Sequence, residues 1–384
     1  MPRLFGRDYT RDELLQKVGS LDQIGGARLI RLADGNEADA LAVLCRTGTG
    51  LSFIVNANRG MDIVSAEWQG ASLCWRSHTG DVNAAYFHPL GLGWLRTFYG
   101  GLLTTCGATY CGSPVEDQET TEGGPTYRLV CEGEKCKLEW SPTGSLGLHG
   151  WFSHTPAKNL YVDGRWDGDE YVFWVQGKMR EAMVFGPNIV VTRRISGILG
   201  QNRILVHDVV TNEGWEPQEH MYLYHVNLGF PVVDEGAEYV FPVQETIPRT
   251  ELAAKHIDTW AEFPAPIPHE REWVYYHKCR AAADGTVYVA FVNRNFAGGQ
   301  GIGVYLKYNL HQLPWLVQWK MPAQGHYVTG IEPATNQVDG RVKEREEGRL
   351  IVLQPGESRE YELEIGLLTS QAEIEEMVAR VRSL

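Results

Sequence analysis

The most constraining feature of this sequence is a long series of aromatic and β-branched segments separated by Gly, Pro, Asn and Asp. The 384 residues include 42 Gly and 18 Pro, and 11% of the residues are aromatic. Aromatic and β-branched residues favour strands, whereas the separating residues favour turns. Uninterrupted apolar runs such as 204–206 indicate strands covered on both faces. The pattern predicts an all-β fold, a large antiparallel β-sandwich with short terminal helices.

Individual strands can be placed from the same pattern. The segments 189–195 and 203–210 are joined by a Gly-containing turn, and a second turn follows at 212–214, which predicts a hairpin or meander. The remaining clear strands are predicted at 51–55, 171–180, 287–292 and 303–308.

One helix is predicted at each end of the chain. Thr10 with Glu13, and Ser370 with Glu373, form capping boxes ahead of apolar residues at helical spacing. No repeat or linker divides the sequence between them. The predicted organisation is an N-terminal helical segment (1–24), one sandwich domain (25–368) and a C-terminal helix (369–384).

The charge balance narrows the range of partners. The chain has 35 Lys and Arg against 48 Asp and Glu, which gives a formal net charge of −13. Such a balance disfavours binding to nucleic acid or to an anionic membrane. The N-terminal residues lack the apolar stretch of a signal peptide, and no apolar run reaches the length of a membrane span. We therefore expect a cytoplasmic protein.

Seven cysteines bear on the redox environment. Because their number is odd and the chain is long, reduced and buried thiols are expected. The pairs Cys106/Cys111 and Cys131/Cys136 share the same spacing, and a zinc site is the less favoured alternative.

Ionisable side chains within glycine-rich or apolar segments are the candidate functional groups. Residues two apart on a strand share a face, so His225 and Asn227 point the same way. Singly, each candidate also fits a structural role as a turn or core residue. Together, imidazoles, a carboxylate and a guanidinium near Trp and Tyr fit a sugar pocket, which needs aromatic walls and a few convergent polar groups. The candidates are Arg59 after strand 51–55, His149 between glycines, His225 in an aromatic strand, and Glu332 just past a predicted strand end.

The order of these motifs resembles that of the galactose mutarotase (aldose 1-epimerase) superfamily. The resemblance covers roughly residues 25 to 368 and is strongest to an uncharacterised branch, known only as an aldose-epimerase-type domain of unknown function. It implies a galactose mutarotase-like β-sandwich. The motifs that carry it are 58–62, 100–107, 147–150, the meander 192–214 with 221–227, 318–321 and 330–333.

This resemblance implies a carbohydrate-active isomerase that interconverts the anomers of an aldose. Glu332 would be the base that takes the C1 hydroxyl proton, and His225 the acid that protonates the ring oxygen. The chemistry implies no cofactor and a small-molecule sugar as partner, and the absence of a phosphate-type Gly loop favours a neutral sugar. The residues implied to hold the sugar are His149, Arg59, Gln318 and Asn227.

Several positions stay open at this point. The sugar-binding Asp of mutarotases has no clear counterpart, and the candidates are Asp234, Asp258, Asp284 and the cluster 293–295. A further polar set fits either the pocket or the surface, with the surface favoured, and comprises His78, His88, Arg96 and Tyr99.

Two other functions use the same residues. His149, His225 and Glu332 could bind a divalent metal as two imidazoles and a carboxylate, for epimerisation, isomerisation or elimination on a keto-sugar. The aromatic residues would also serve a non-catalytic sugar-binding domain, although pure binding does not need both an acid and a base. The sequence does not distinguish which sugar is bound or the oligomeric state.

Overall fold

Antiparallel strands are the main secondary structure of the molecule. A computed structural model describes residues 1–120, 126–133, 135–141, 144–184 and 186–384. Its strands are β1 (Arg3–Leu4), β2 (Arg7–Asp8), β3 (Gly26–Arg31), β4 (Leu41–Arg46), β5 (Leu51–Asn56), β6 (Asp62–Trp68), β7 (Ala71–Ser72), β8 (Thr104–Cys106), β9 (Val115–Asp117), β10 (Thr126–Glu132), β11 (Lys135–Ser141), β12 (Gly144–Leu146), β13 (Lys158–Asp167), β14 (Glu170–Ala182), β15 (Asn188–Ile198), β16 (Arg203–Asn212), β17 (Gln218–His220), β18 (Leu223–Gly229), β19 (Glu238–Val240), β20 (Val243–Pro248), β21 (Trp273–Cys279), β22 (Thr286–Asn293), β23 (Ile302–Asn309), β24 (Trp315–Met321), β25 (Val328–Ala334), β26 (Ile351–Leu353) and β27 (Ser358–Leu368). Its α-helices are α1 (Arg11–Leu15), α2 (Glu251–Lys255), α3 (Phe296–Gly299), α4 (Arg341–Glu346) and α5 (Gln371–Arg382).

Three sheets contain most of these strands. The largest has eight strands in the order β13-β14-β15-β16-β27-β23-β22-β19, the second has six in the order β20-β21-β24-β25-β18-β8, and the third runs from β3 to β7. The predicted hairpin of 189–195 and 203–210 is present, since β15 pairs antiparallel with β16, and β15 also pairs with β14. The predicted all-β antiparallel sandwich is therefore confirmed.

The six-stranded sheet has different surroundings on its two faces. On one face, Val226 and Ile331 belong to the main core, together with Val206 of the eight-stranded sheet. On the other face, Leu223 and Val317 belong to a second apolar cluster built with loop residues. Because successive side chains of a strand alternate between faces, every second residue of β18 and β25 is directed toward this second cluster.

A buried arginine connects the sheets within the main core. Arg193 of β15 has no exposed surface, and its Nε and Nη2 donate to the two carboxylate oxygens of Asp208 at 2.8 and 2.7 Å. Its Nη1 donates to Asp62 Oδ1 at 2.9 Å. Burial is the largest influence on Asp62 and raises its pKa to about 6, while Arg193 lowers that pKa. Further partners of the guanidinium are Gly60 O, Thr105 Oγ1 and Tyr222 Oη.

Both predicted helix starts are present. Thr10 Oγ1 accepts from the Glu13 N–H, and the Glu13 carboxylate accepts from the Thr10 N–H, which completes the first capping box. Ser370 Oγ accepts from the Glu373 N–H in the same way, but the Glu373 carboxylate accepts from the Thr369 N–H. In the second motif Ser370 is still the N-cap, but the glutamate carboxylate binds the N–H of the residue before the N-cap.

One cysteine pair differs from expectation. Cys131 and Cys136 are opposite each other in the β10–β11 hairpin, with Cα atoms 4.1 Å apart, and form a disulfide. The expectation of reduced thiols is wrong for this pair, because the antiparallel register of a short hairpin brings the two side chains together. The free and buried cysteines are Cys45, Cys74, Cys106, Cys111 and Cys279.

The described ranges contain neither a membrane-spanning helix nor a cluster of metal-binding side chains. Within the part of the chain described above, no helix has both the length and the apolar character needed to cross a bilayer. In those ranges, no group of three or more His, Cys, Asp or Glu side chains is arranged to hold a metal ion. The cysteine-based zinc alternative is therefore not assembled.

We expect Arg193→Met to destabilise the protein by about 3–5 kcal/mol, because it leaves buried carboxylates without their countercharge. The measurement is urea unfolding of the unmodified protein, of Arg193→Met and of a control variant. The control is Arg194→Met on the opposite face of β15, where the guanidinium lies 4.1 Å from the ring centre of Trp174, a contact worth roughly 1 kcal/mol or less. Equal losses in the two variants would contradict the role assigned to Arg193.

Candidate active site

Two neighbouring strands of the six-stranded sheet carry the proposed acid and base. His225 lies on β18 and Glu332 on β25, and the register Asn227↔Gly330 places the two opposite each other. The sequence predicted Glu332 just past a strand end, but β25 continues through it to Ala334. Pro333 has no N–H to donate, and the β18–β25 pairing is interrupted beside it, between Leu223 and Val226.

The imidazole of His225 and the carboxyl group of Glu332 are in contact. His225 Nε2 and Glu332 Oε1 are 3.2 Å apart, and the residues are only 5% and 2% exposed. Among the described residues, neither Glu332 Oε1 nor His225 Nδ1 has an aligned hydrogen-bond partner. Buried polar atoms are normally paired, so these two are available to a ligand.

Gly330 provides the space that this arrangement requires. It lies two residues before Glu332 on the same face of β25, where a Cβ atom would overlap Glu332 Oε1. The same Cβ would lie 3.0 Å from His225 Cε1. A side chain at position 330 would therefore separate the acid from the base.

His149 approaches the pair from a loop. Its φ angle is +58°, and its backbone N–H donates to Gly112 O at 2.9 Å, which fixes the turn. The loop approaches the chain so closely that a Cβ at Gly147 would overlap Pro89 O. The rings of His149 and His225 are 5.9 Å apart and nearly perpendicular. As the glycine flanks suggested, the loop delivers an imidazole to the site.

A cavity of about 320 Å³ opens beside these three groups. Aromatic rings surround His225, with ring-centre distances of 5.4 Å to Trp319 and 5.6 Å to Phe98, and Trp94 lies 4.8 Å from His149. A cavity of this size with apolar walls and a few polar groups suits a small ligand. Its lining residues are Leu92, Trp94, Leu95, Phe98, Ser113, Pro114, Leu148, His149, His225, Arg249, Glu272, Val274, Val317, Trp319, Glu332 and Val338.

Two charged lining residues were missed by the sequence analysis. Arg249 follows β20, where its Nε donates to Asp339 Oδ1 and its Nη2 donates to Ser113 Oγ, each at 2.7 Å. Glu272 precedes β21, and its carboxylate accepts from the indole N–H of Trp319 at 2.9 Å. Neither belongs to a recognisable motif, because each reaches the cavity from the end of a strand that only the folded sheet places there.

Burial shifts the pKa values of the central groups in the direction that favours their uncharged forms. Burial, and secondarily Glu272, raise the pKa of Glu332 well above 4.5, whereas Arg249 lowers it. Burial, and then His149, lower the pKa of His225 well below 6.5, although Asn227 opposes that shift. Burial and Arg249 lower the pKa of His149 to about 3, so this imidazole is neutral near pH 7. Burial thus favours the uncharged forms of the Glu332 carboxyl group and of the His225 imidazole that touches it.

Arg59 does not reach the cavity, contrary to expectation. It has no exposed surface, and its Nη2 lies 3.0 Å from His154 Nε2. Its other hydrogen bonds bring together three loops through the carbonyl oxygens of Val82, Thr97 and Ser153. The turn after β5 directs the guanidinium into the protein, where it fixes the segment that carries Trp94 and Phe98.

Gln318 and Asn227 also lie outside the cavity lining. Gln318 follows Val317 and precedes Trp319, which both line the cavity, so strand alternation directs it to the opposite face. There its Oε1 lies 2.9 Å from His277 Nε2 and its Nε2 donates to Trp260 O. Asn227 shares the face of His225 as predicted, but its Nδ2 donates to the carbonyls of Gly100 and His225. These hydrogen bonds hold the backbone at His225 and occupy the amide nitrogen of Asn227.

The remaining candidate residues from the sequence lie outside the cavity lining. Among the described residues that line the cavity there is no aspartate, and Asp234, Asp258 and Asp284 are exposed. Asn293 is buried and donates to Pro231 O. The surface was favoured for a further set; the exposed members are His78, His88 and Arg96. Tyr99 is instead fully buried in the core, with its ring 4.9 Å from the Arg59 guanidinium.

The metal-binding alternative gains no ligand set from this arrangement. His149, His225 and Glu332 do share the cavity. Over the described ranges, however, no three such side chains are placed to coordinate one ion. That the site needs no cofactor stays a prediction.

Solved structures with a similar fold include the following three proteins. A candidate aldose 1-epimerase from Klebsiella pneumoniae is 25% identical with a TM-score of 0.82, covering 94% of this chain and 90% of its own. A galactose mutarotase-like protein from Clostridium acetobutylicum is 11% identical (TM-score 0.59, coverage 90% and 99%). A galactose 1-epimerase from Lactobacillus acidophilus is 10% identical (TM-score 0.56, coverage 90% and 99%). None of the curated proteins matches this chain in sequence.

The family assignment comes from the sequence itself. Residues 38–367 match the family described as a domain of unknown function, DUF4432. This range includes His149, His225, Arg249, Glu272 and Glu332. The chain therefore belongs to the DUF4432 family, an uncharacterised branch that shares the galactose mutarotase-like β-sandwich.

Proposed function

We propose that this protein is an isomerase that interconverts the anomers of an aldose by general acid–base catalysis. The observation that carries the proposal is the contact between His225 and Glu332 at the base of an aromatic-walled cavity. The similar folds of the candidate aldose 1-epimerase and of the galactose 1-epimerase support the same class of reaction.

The reaction needs one proton acceptor and one proton donor. The Glu332 carboxylate takes the proton of the C1 hydroxyl, the bond from C1 to the ring oxygen breaks, and the ring oxygen takes a proton from His225. The product is an open-chain aldehyde, which rotates about its C1–C2 bond. The two proton transfers then run backwards as the ring closes on the other face of the carbonyl. Positioned groups of this kind contribute roughly 10²–10⁴ in rate.

The pair can complete this cycle without exchanging protons with solvent. Ionised Glu332 with protonated His225 contains the same number of protons as neutral Glu332 with neutral His225. The first form starts ring opening, and the second form is left when the ring is open. Burial raises the pKa of Glu332 and lowers that of His225, so it favours the neutral form, and transfer of the Glu332 proton to His225 supplies the ionised form that starts ring opening.

Two neighbouring groups would hold the sugar during the reaction. Neutral His149 has a buried Nδ1 without a partner among the described residues, so it can hydrogen-bond a sugar hydroxyl. Arg249 lines the cavity, and its positive charge lowers the pKa values of both His149 and Glu332. We assign to Arg249 the role of stabilising negative charge on the opening ring, in place of Arg59.

Glu332→Gln and His225→Asn are each expected to lower kcat/KM at least about 100-fold, because each removes one proton transfer. The measurement follows the equilibration of freshly dissolved single-anomer sugars by NMR, with and without a chelator. Asp258→Asn, on the surface away from the cavity, is the control and should retain full activity. Sugar binding without any equilibration in the unmodified protein would instead identify a non-catalytic binding domain.

Glu332→Gln is also expected to change how stability depends on pH. Above pH 4.5 the unfolded carboxyl group ionises, whereas the buried one keeps its proton up to its raised pKa. The unfolded state then binds fewer protons, so the stability of the unmodified protein falls as pH rises through this window. The variant lacks that loss and should gain in relative stability by up to about 1.4 kcal/mol per pH unit.

The measurement is urea unfolding of both proteins at a series of pH values from 4.5 upward, with Asp258→Asn as the exposed control. A constant difference between Glu332→Gln and the unmodified protein would show that the Glu332 pKa is not raised.

A further inference from the structure

One side of the cavity mouth is apolar, and the proposed function does not explain it. We infer that the natural substrate is a sugar with an apolar group in place of a hydroxyl, of which a 6-deoxyaldose is the simplest case. The inference rests on the proposed function and names the substrate class of the same site.

The polar and apolar parts of the cavity come from different elements. Four of the polar groups, His225, Glu332, Arg249 and Glu272, lie on or next to strands of the six-stranded sheet. The loops add Ser113 and His149, and otherwise only apolar side chains. These apolar loop residues are Leu92, Trp94, Leu95, Phe98, Pro114, Leu148 and Val338.

The leucines at the mouth are unusually open to solvent. Leu92 is 61% exposed and Leu95 is 48% exposed, and both line the cavity. Exposed apolar side chains that are grouped around a pocket mark a surface that binds something apolar. A fully hydroxylated sugar would lose water from a hydroxyl placed here without gaining a hydrogen bond, whereas a methyl group would gain from burial.

The apolar wall is held in place before any ligand binds. Leu92 and Leu95 flank the start of the short helical turn Gly93–Thr97. Arg59 Nη2 donates to Thr97 O at 3.0 Å, and Trp94 Nε1 donates to Ser153 Oγ at 3.1 Å. Because these anchors are buried, the wall is a fixed part of the site and can select among substrates.

The chain offers a matched pair of variants. Leu90 is 48% exposed, as is Leu95, and belongs to the same segment, but it does not line the cavity. Leu95→Asn places a polar amide in the wall, while Leu90→Asn makes the same chemical change outside it.

The experiment compares each 6-deoxyaldose with its 6-hydroxy parent in the gluco, galacto and manno series. For at least one series, kcat/KM for the deoxy sugar should exceed that for the parent roughly tenfold or more, the range for one methyl group in an apolar pocket. Leu95→Asn should reduce this ratio at least about threefold, and Leu90→Asn should leave it unchanged.

Binding to Glu332→Gln, measured by calorimetry with the same sugars, separates this inference from the proposed function. A tenfold tighter Kd for the deoxy sugar, without turnover in the unmodified protein, would support the proposed substrate class and overturn the proposed isomerase activity. Turnover with equal kcat/KM and equal Kd in all three series would overturn the apolar wall and leave the isomerase standing. If Leu95→Asn and Leu90→Asn reduced the preference for the deoxy sugar equally, the role assigned to the apolar wall would also be overturned.

Discussion

The buried pairing of Arg193 with Asp208 and Asp62 is the interaction on which the rest of the structure depends. It joins β15 and β16 of the eight-stranded sheet to the start of β6, and further hydrogen bonds reach β8 through Thr105. Charges taken out of water are tolerated only when they are paired and hydrogen-bonded, so this cluster specifies one relative placement of the sheets. Strand β18, which carries His225, is fixed next to β8. The geometry of the proposed catalytic pair thus rests on a cluster in the core behind it.

The fold was largely predictable because its signals are local. Strand periodicity placed β14 and the hairpin of β15 and β16, and the caps placed α1 and α5. The site was predictable only where a side chain and its local geometry coincide, as for His149 between glycines and for His225 on an aromatic strand. Arg59 was misplaced because the sequence shows that a guanidinium follows β5 but not which way the turn directs it. Arg249 and Glu272 were missed because their position depends on sheet order.

Gln318 shows how a correct motif can yield a wrong residue. The strand that contains it does form one wall of the site, but its neighbour Trp319 faces the cavity. Only the position of β24 relative to the core decides between them, and the apolar and aromatic residues of this strand alternate too weakly to reveal that face. The same consideration separates Asn227, which supports His225, from residues that can touch a ligand.

Adjacent residues of the six-stranded sheet lie on opposite faces, one facing the core and the other facing the cavity. On β18, Tyr224 and Val226 fill the core, while His225 between them serves the cavity. A shift of one residue along this strand would bury the imidazole among apolar groups and expose the core side chains. A single-residue insertion or deletion in β18 or β25 would therefore exchange the two faces for every residue beyond it, and would disturb the core and the cavity at once.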